Sequence, residues 1–273
     1  MGKLLKKASI YLTLFVGGIF VAFPFYWMLI TAFKDGKEAL QFPPTLFPSN
    51  LHPENFINVW KTIPLPTYFA NTLIITVVSV LGVVITSLLA AYVFARLEFK
   101  GREVIFVSLI ALMQIPLPLY LIPSYMLLSK IGWIDTYLAL TVPWTVNIFS
   151  IFLLRQFFKT IPEEIFESAR IDGANEFTIL RRIALPLAKT PLTAIIIFNI
   201  IGGWNSFLWP LIMTDSDFMR PIQVGLAYYS RAETTNYPLL MAASLMAILP
   251  LLILYLIAQR YIIRSLSFTG SKY

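Results

Sequence analysis

The side chains best able to recognise a solute cluster between residues 199 and 209, where Asn199, Gly202, Gly203, Trp204, Asn205, Ser206 and Trp209 follow one another within an otherwise apolar stretch. At about 100° per residue, Asn199, Gly202, Gly203 and Ser206 share one helical face, with Trp209 and then Asn205 on its flank. Amides pair with hydroxyls and an indole packs against a C–H face, so this set suits a path for a sugar. Glycine and serine on a membrane helix equally suit close packing of helices, and at this level both readings stand. Gln114 and Asn147 are further candidates for the same path.

Bond-breaking chemistry finds no comparable set. There is no Walker A loop, no H-E-x-x-H and no G-x-S-x-G, so the chain is not expected to hydrolyse ATP or to act as an enzyme, and it needs no cofactor of its own. The single histidine, His52, lies between Leu51 and Pro53, and the 273 residues include no cysteine. A metal site, a disulfide and a thiol nucleophile are therefore not expected.

The elements that must position the polar face follow from composition. Hydrophobic residues make up 58% of the chain and charged residues 13%, and the mean hydropathy is +0.76. Soluble domains are about 45–50% apolar and about 25% charged. Six stretches approach the roughly 20 apolar residues needed to cross a bilayer: residues 8–33, 71–95, 104–128, 137–154, 190–213 and 239–263. In lipid each must be helical, because the backbone finds no other partners there. The expected fold is thus an all-α membrane protein, one domain over 1–273 with six transmembrane helices. The first apolar run exceeds a signal-peptide core and has no small-x-small site after it, so it reads as a retained helix.

A net charge of +7 raises the question of nucleic acid, but the basic residues are sorted by side. With the N-terminus inside, six of the 21 Lys and Arg remain outside (Lys34, Lys37, Lys61, Lys130, Arg220 and Arg231) and 15 fall inside. That is the positive-inside pattern for an even number of spans with both termini cytoplasmic. The charge encodes orientation, and no nucleic-acid partner is expected. Acidic residues are almost absent from the spans, which disfavours the proton relays of secondary carriers.

Two outer loops are long, residues 34–70 and 214–238, and the six prolines of the first imply an extended or turn-rich segment. Prolines also interrupt the spans at Pro24, Pro116, Pro118, Pro123, Pro143, Pro210 and Pro250. Kinks there, at Gln114-Ile-Pro-Leu-Pro118 above all, either set packing geometry or outline a cavity near the middle of the membrane.

The inner loop, residues 155–189, carries the string KTIPEEIFESARIDGANEFTILRRIALPLAK and is amphipathic. It reads as two short helices. Thr160 and Glu163 have capping-box spacing, Pro162 suits a first turn, Gly173 supplies a left-handed stop, and Asn175 caps a second helix over 176–185. Ile161, Ile165, Phe166 and Ala169 give the first helix an apolar face. Its polar face is mainly acidic, which an anionic leaflet repels, so a protein partner is the expected occupant.

The stretch Glu167-Ser-Ala-Arg-Ile-Asp-Gly173, followed by Leu185-Pro186, resembles the E-A-A-x-x-x-G signature and trailing L-P of binding-protein-dependent ABC importer permeases. The strings IFLLRQFFKTIPEEIFESARIDGA and WNSFLWPL are similar to the carbohydrate branch, especially its smaller maltose-type subunit, and the resemblance extends over nearly the whole chain. It implies that the loop between the fourth and fifth spans is a coupling helix seated on a cytoplasmic ATPase subunit. Glu167, Ala169, Gly173, Leu185 and Pro186 match the pattern, while Ser168 stands in place of the usual alanine. The implied assembly pairs this chain with a second homologous permease, two ATP-binding cassette subunits that hold ATP and Mg, and an extracytoplasmic solute-binding protein. It would sit in the cell membrane and import a sugar or oligosaccharide. A tail over 265–273 is similar in length to those reaching the ATPase pair, with fewer glycines. The remaining alternatives are a carrier or channel working without ATP and a non-sugar solute such as a glycerol phosphodiester.

Overall fold

A computed structural model describes residues 2–227, 230 and 235–267, the side chains of residues 2–5, 8 and 260–267 excepted. Every regular element among the described residues is helical. Arg231 and residues 268–273 of the expected tail lie outside the described residues. Internal contacts divide the chain into two compact units, residues 1–66 with 224–250 and residues 67–223 with 251–273.

In the first unit α1 (Gly2–Ala32) is a long apolar helix. Its C-terminal end is tied down by Lys34, which is 1% exposed, donates from Nζ to Thr45 O at 2.6 Å and lies 4.7 Å from the Trp27 ring centre. Asn55 Nδ2 donates to Ala32 O and Lys34 O, both at 2.9 Å. The proline-rich loop is more helical than expected, because α2 (Glu54–Thr62) lies within it and α3 begins at Leu65 rather than residue 71. Pro53 and Pro66 sit at helix starts, where the missing N–H costs nothing, and so begin helices instead of preventing them. His52 Nδ1 lies 2.6 Å from Glu54 Oε1.

In the second unit α3 (Leu65–Arg96) runs unbroken for 32 residues. The next three expected spans do not. The third is α4 (Arg102–Leu112) and α5 (Leu117–Lys130), bent by 98° across residues 113–116. That is a break rather than the expected kink, because Pro116 takes extended backbone at ψ 143°. The fourth is a single turn of helix, α6 (Tyr137–Thr141), then a 3-10 turn through Pro143, then α7 (Ile148–Lys159), which continues five residues past its expected end at 154. The fifth is α10 (Lys189–Trp204) and α11 (Leu208–Met213), interrupted at residues 205–207. Gly82 of α3 permits one of these breaks, since a Cβ there would lie 2.5 Å from Thr145 Cβ.

The hairpin α8 (Glu163–Ile171) and α9 (Glu176–Leu187) precedes α10, with a 78° bend between α9 and α10. The last long helix is α12 (Tyr237–Ser267). By length and composition four helices suffice to cross a membrane, or up to six if the bent pairs α4 with α5 and α9 with α10 each count as one span.

Candidate functional site

The hairpin of α8 and α9 is built from its turn outwards. Gly173 has φ +83°, and Gly173 N donates to Arg170 O while Ala174 N donates to Ala169 O, each at 3.0 Å. This is the paired-bond left-handed cap that glycine makes at low cost. Asn175 then accepts from Thr178 N at 2.8 Å and starts α9. The expected capping box is absent: Pro162 occupies the N-cap of α8, and Thr160 Oγ1 donates to Phe157 O at 2.7 Å. Glu163 is drawn instead to Arg96 and Arg170.

Phe166 is fully buried and Ala169 half-buried, packed in one cluster with Tyr92, Phe158 and Ile161. Ile165, expected on that face, is 39% exposed, because α8 is rotated to bring Phe166 inward under the Arg96 guanidinium, 4.1 Å from the ring centre. Glu167, Ser168 and Gly173 are exposed together with Ile165, Ile171 and Phe177, whereas Leu185 is half-buried and Pro186 exposed at the far end of α9. The hairpin thus presents acidic and apolar side chains outward around its turn and the exposed Arg181 and Arg182 further along α9, while Phe166, Ile179 and Leu180 are buried. Arg170 bridges the two helices, donating to Glu163 Oε1 at 3.1 Å and Glu176 Oε1 at 2.9 Å.

A second feature lies along the spans. A cavity of about 300 Å³ is bounded by α3, by the break between α6 and α7, and by α10 and α11. Asn147, Asn199, Gly202, Ser206 and Trp209 line it, whereas Asn205 and Gln114 do not. Asn205 turns back to Ile201 O at 2.9 Å, and Gln114 sits exposed in the break between α4 and α5. Asn147 caps α7 by accepting from Ser150 N at 2.8 Å, and its Nδ2 donates to Asn199 Oδ1 at 3.3 Å. Asn199 Nδ2 in turn donates to Ser150 Oγ at 3.2 Å and Ile195 O at 2.8 Å.

Both glycines of this face line the cavity: a Cβ on Gly203 would make ordinary contact with Thr76 Oγ1 at 3.4 Å, whereas a Cβ on Gly202 would meet nothing within 4 Å. Trp209 is 3% exposed and donates from Nε1 to Ala139 O at 3.0 Å. Sequence reasoning missed Ser79 and Trp144, which line the cavity although their Oγ and Nε1 are buried without a hydrogen-bond partner. Ile75, Ser79, Val80 and Val83 do carry a helical spacing that marks one face of α3.

Residues 82–268 match the family model described as binding-protein-dependent transport system inner membrane component. The chain is 34% identical over 264 residues to the arabinooligosaccharides transport system permease protein AraQ of Halalkalibacterium halodurans, covering 94% of this chain and 95% of that one. It is 31% identical to the diacetylchitobiose uptake system permease protein NgcG of Streptomyces coelicolor, covering 93% and 85%. It is also 31% identical to the sn-glycerol-3-phosphate transport system permease protein UgpE of Pectobacterium atrosepticum, covering 93% of each chain. Its fold is similar to a chain of a bacterial ABC transporter involved in the import of the acidic polysaccharide alginate, with a TM-score of 0.85, 23% identity and coverage of 96% and 98%.

Proposed function

Because the chain belongs to the binding-protein-dependent transport system inner membrane component family, we propose that it forms one half of the membrane pore of an ATP-binding-cassette importer for a sugar or oligosaccharide. It is a multi-pass membrane protein. In this reading α8 and α9 are the coupling element, and Glu167, Ser168, Ala169, Gly173, Leu185 and Pro186 form and position the surface that a cytoplasmic ATPase subunit holds. The exposed Ile165, Ile171 and Phe177 supply apolar anchors of the kind that dominate protein interfaces. ATP and Mg belong to that partner, present in two copies. A second homologous permease completes the pore, an extracytoplasmic solute-binding protein delivers the solute, and both termini are cytoplasmic.

The observation that carries the sugar assignment is the chemistry of the cavity wall. It offers amides at Asn147 and Asn199, hydroxyls at Ser79 and Ser206 and indoles at Trp144 and Trp209, with no charged side chain among its lining residues. A phosphodiester would bring a negative charge into this wall with no Lys or Arg to meet it. The cavity therefore favours a sugar over the glycerol phosphate class named for one of the relatives.

The assembly recovered through a tag on this chain tests both parts. It should contain a second permease and two ATPase copies, and the ligand released from its binding protein should be a neutral carbohydrate. An anionic ligand there would contradict the substrate assignment, and a chain that purifies without any ATPase would contradict the importer.

A further inference from the structure

Within residues 67–223 the spans after α3 are each interrupted, whereas α3 is one continuous rod. From Asn71 to Arg96 it extends about 37 Å at 1.5 Å per residue. Three features lie along it. At the outer end Asn71, 2% exposed, donates from Nδ2 to Phe218 O at 2.7 Å and Arg220 O at 3.0 Å, and Thr72 Oγ1 accepts from Ile222 N at 2.8 Å. In the middle Ile75, Ser79, Val80 and Val83 wall the cavity.

At the inner end Tyr92 and Arg96, one helical turn apart, grip the hairpin. Tyr92 donates its hydroxyl to Glu176 Oε2 at 2.5 Å on α9. The Arg96 side chain, 6% exposed, donates to Glu163 on α8, to Phe158 O, and to Ile161 O at 2.6 Å. Arg170 closes the ring by joining Glu163 to Glu176. The circuit Tyr92, Glu176, Arg170, Glu163, Arg96 returns to the helix it started from.

We infer that α3 is the element that carries displacement of the hairpin to the cavity and the outer loop, with Tyr92 and Arg96 as its positioning residues. The inference rests on the reading of α8 and α9 as the coupling element. An exposed ion pair alone transmits little, since it is screened and easily exchanged for water. Here the guanidinium is buried over Phe166 and paired with Glu163, both on α8, so a shift of the hairpin must either move the end of α3 or strip a buried charge of its carboxylate, leaving it only the carbonyls of Phe158 and Ile161. A single helix has no joint at which to lose the motion, whereas the neighbouring spans bend at residues 113–116, 142–147 and 205–207.

The test is the number of ATP molecules hydrolysed per solute moved by the complete assembly in vesicles, with complex yield measured alongside. Tyr92→Phe keeps the ring packed between Phe158 and Phe166 and removes only the bond to Glu176. It should raise the ATP cost per solute at least threefold at unchanged yield, and Arg96→Gln should raise it further where that variant assembles. A purely structural role would lower yield and both rates together and leave the ratio unchanged, and an unchanged ratio in Tyr92→Phe overturns the inference. Gly173→Val separates the two levels. Normal uptake by Gly173→Val removes the coupling reading itself, whereas loss of uptake there with an unchanged ratio in Tyr92→Phe removes only the rod.

Discussion

Trp209 meets Trp144 edge to face, with ring centres 5.3 Å apart and planes at 89°. Together with the bond from Trp209 to Ala139 O this makes Trp209 a wall of the cavity held by packing, not an indole free to swing. Removing a large buried aromatic costs about 3–5 kcal/mol on the scale of soluble cores. Trp209→Ala should therefore lower the yield of assembled complex, and uptake should fall in proportion. Gly202→Leu is the opposite case, because its side chain enters open space at the cavity. It should leave yield intact and abolish uptake, and normal uptake at normal yield would remove this cavity from the solute path.

Gly173→Val should separate assembly in the membrane from coupling. The space around Gly173 is open, so the cost is conformational: φ +83° is a left-handed position for which an L residue pays about 1–2 kcal/mol. The spans should insert normally while ATPase docking and uptake are lost. Gly173→Asn, which tolerates this backbone better, should retain more of both. Equal activity of Val, Asn and Gly at 173 would show that the turn geometry does not matter.

Asp135 links the loop before α6 to the loop after α11, accepting from Asp215 N and Ser216 N at 3.0 Å each. Partial burial pushes its carboxyl upward, but these bonds and the nearby Arg220 outweigh that and hold it below the ordinary aspartate value. A carboxyl whose folded value is depressed stabilises the fold above its unfolded value and loses that contribution as pH falls through the folded one. The melting temperature of Asp135→Asn should thus lie below the parent at neutral pH, and the gap should begin to close below about pH 3.9. A gap that widens in acid would contradict the sign.

Orientation has a clean assay, because the chain has no native cysteine. Asn50 and Lys100 are both exposed. An impermeant thiol reagent added to intact cells should label Asn50→Cys and spare Lys100→Cys. The reverse pattern would place the termini outside.

The long apolar runs made α1, α3 and α12 legible to within a few residues at most boundaries, because hydropathy integrates over many positions. The hairpin was legible for a different reason, since Gly173 and Asn175 are local signals that act on their own neighbours. The interruptions at 113–116, 142–147 and 205–207 were not, because proline reports a weakened helix without saying whether neighbouring elements hold it kinked or let it break. Ile165 is misplaced by local spacing because long-range partners turn Phe166 inward: Arg96, 70 positions upstream, lies over its ring and Tyr92 packs against it. The same distance hid Tyr92 and Glu176, which are 84 positions apart. Ser79 is one of several hydroxyls along α3, and only the folded arrangement shows that it, with Ile75, Val80 and Val83, walls the cavity.

ATP-dependent uptake by the purified assembly in vesicles tests the central claim most directly. With the ATPase subunits and the solute-binding protein present, carbohydrate uptake should require ATP on the side of the inner hairpin and cease when the ATPase is removed. Uptake that persists without the ATPase would show a carrier or channel in place of an importer subunit.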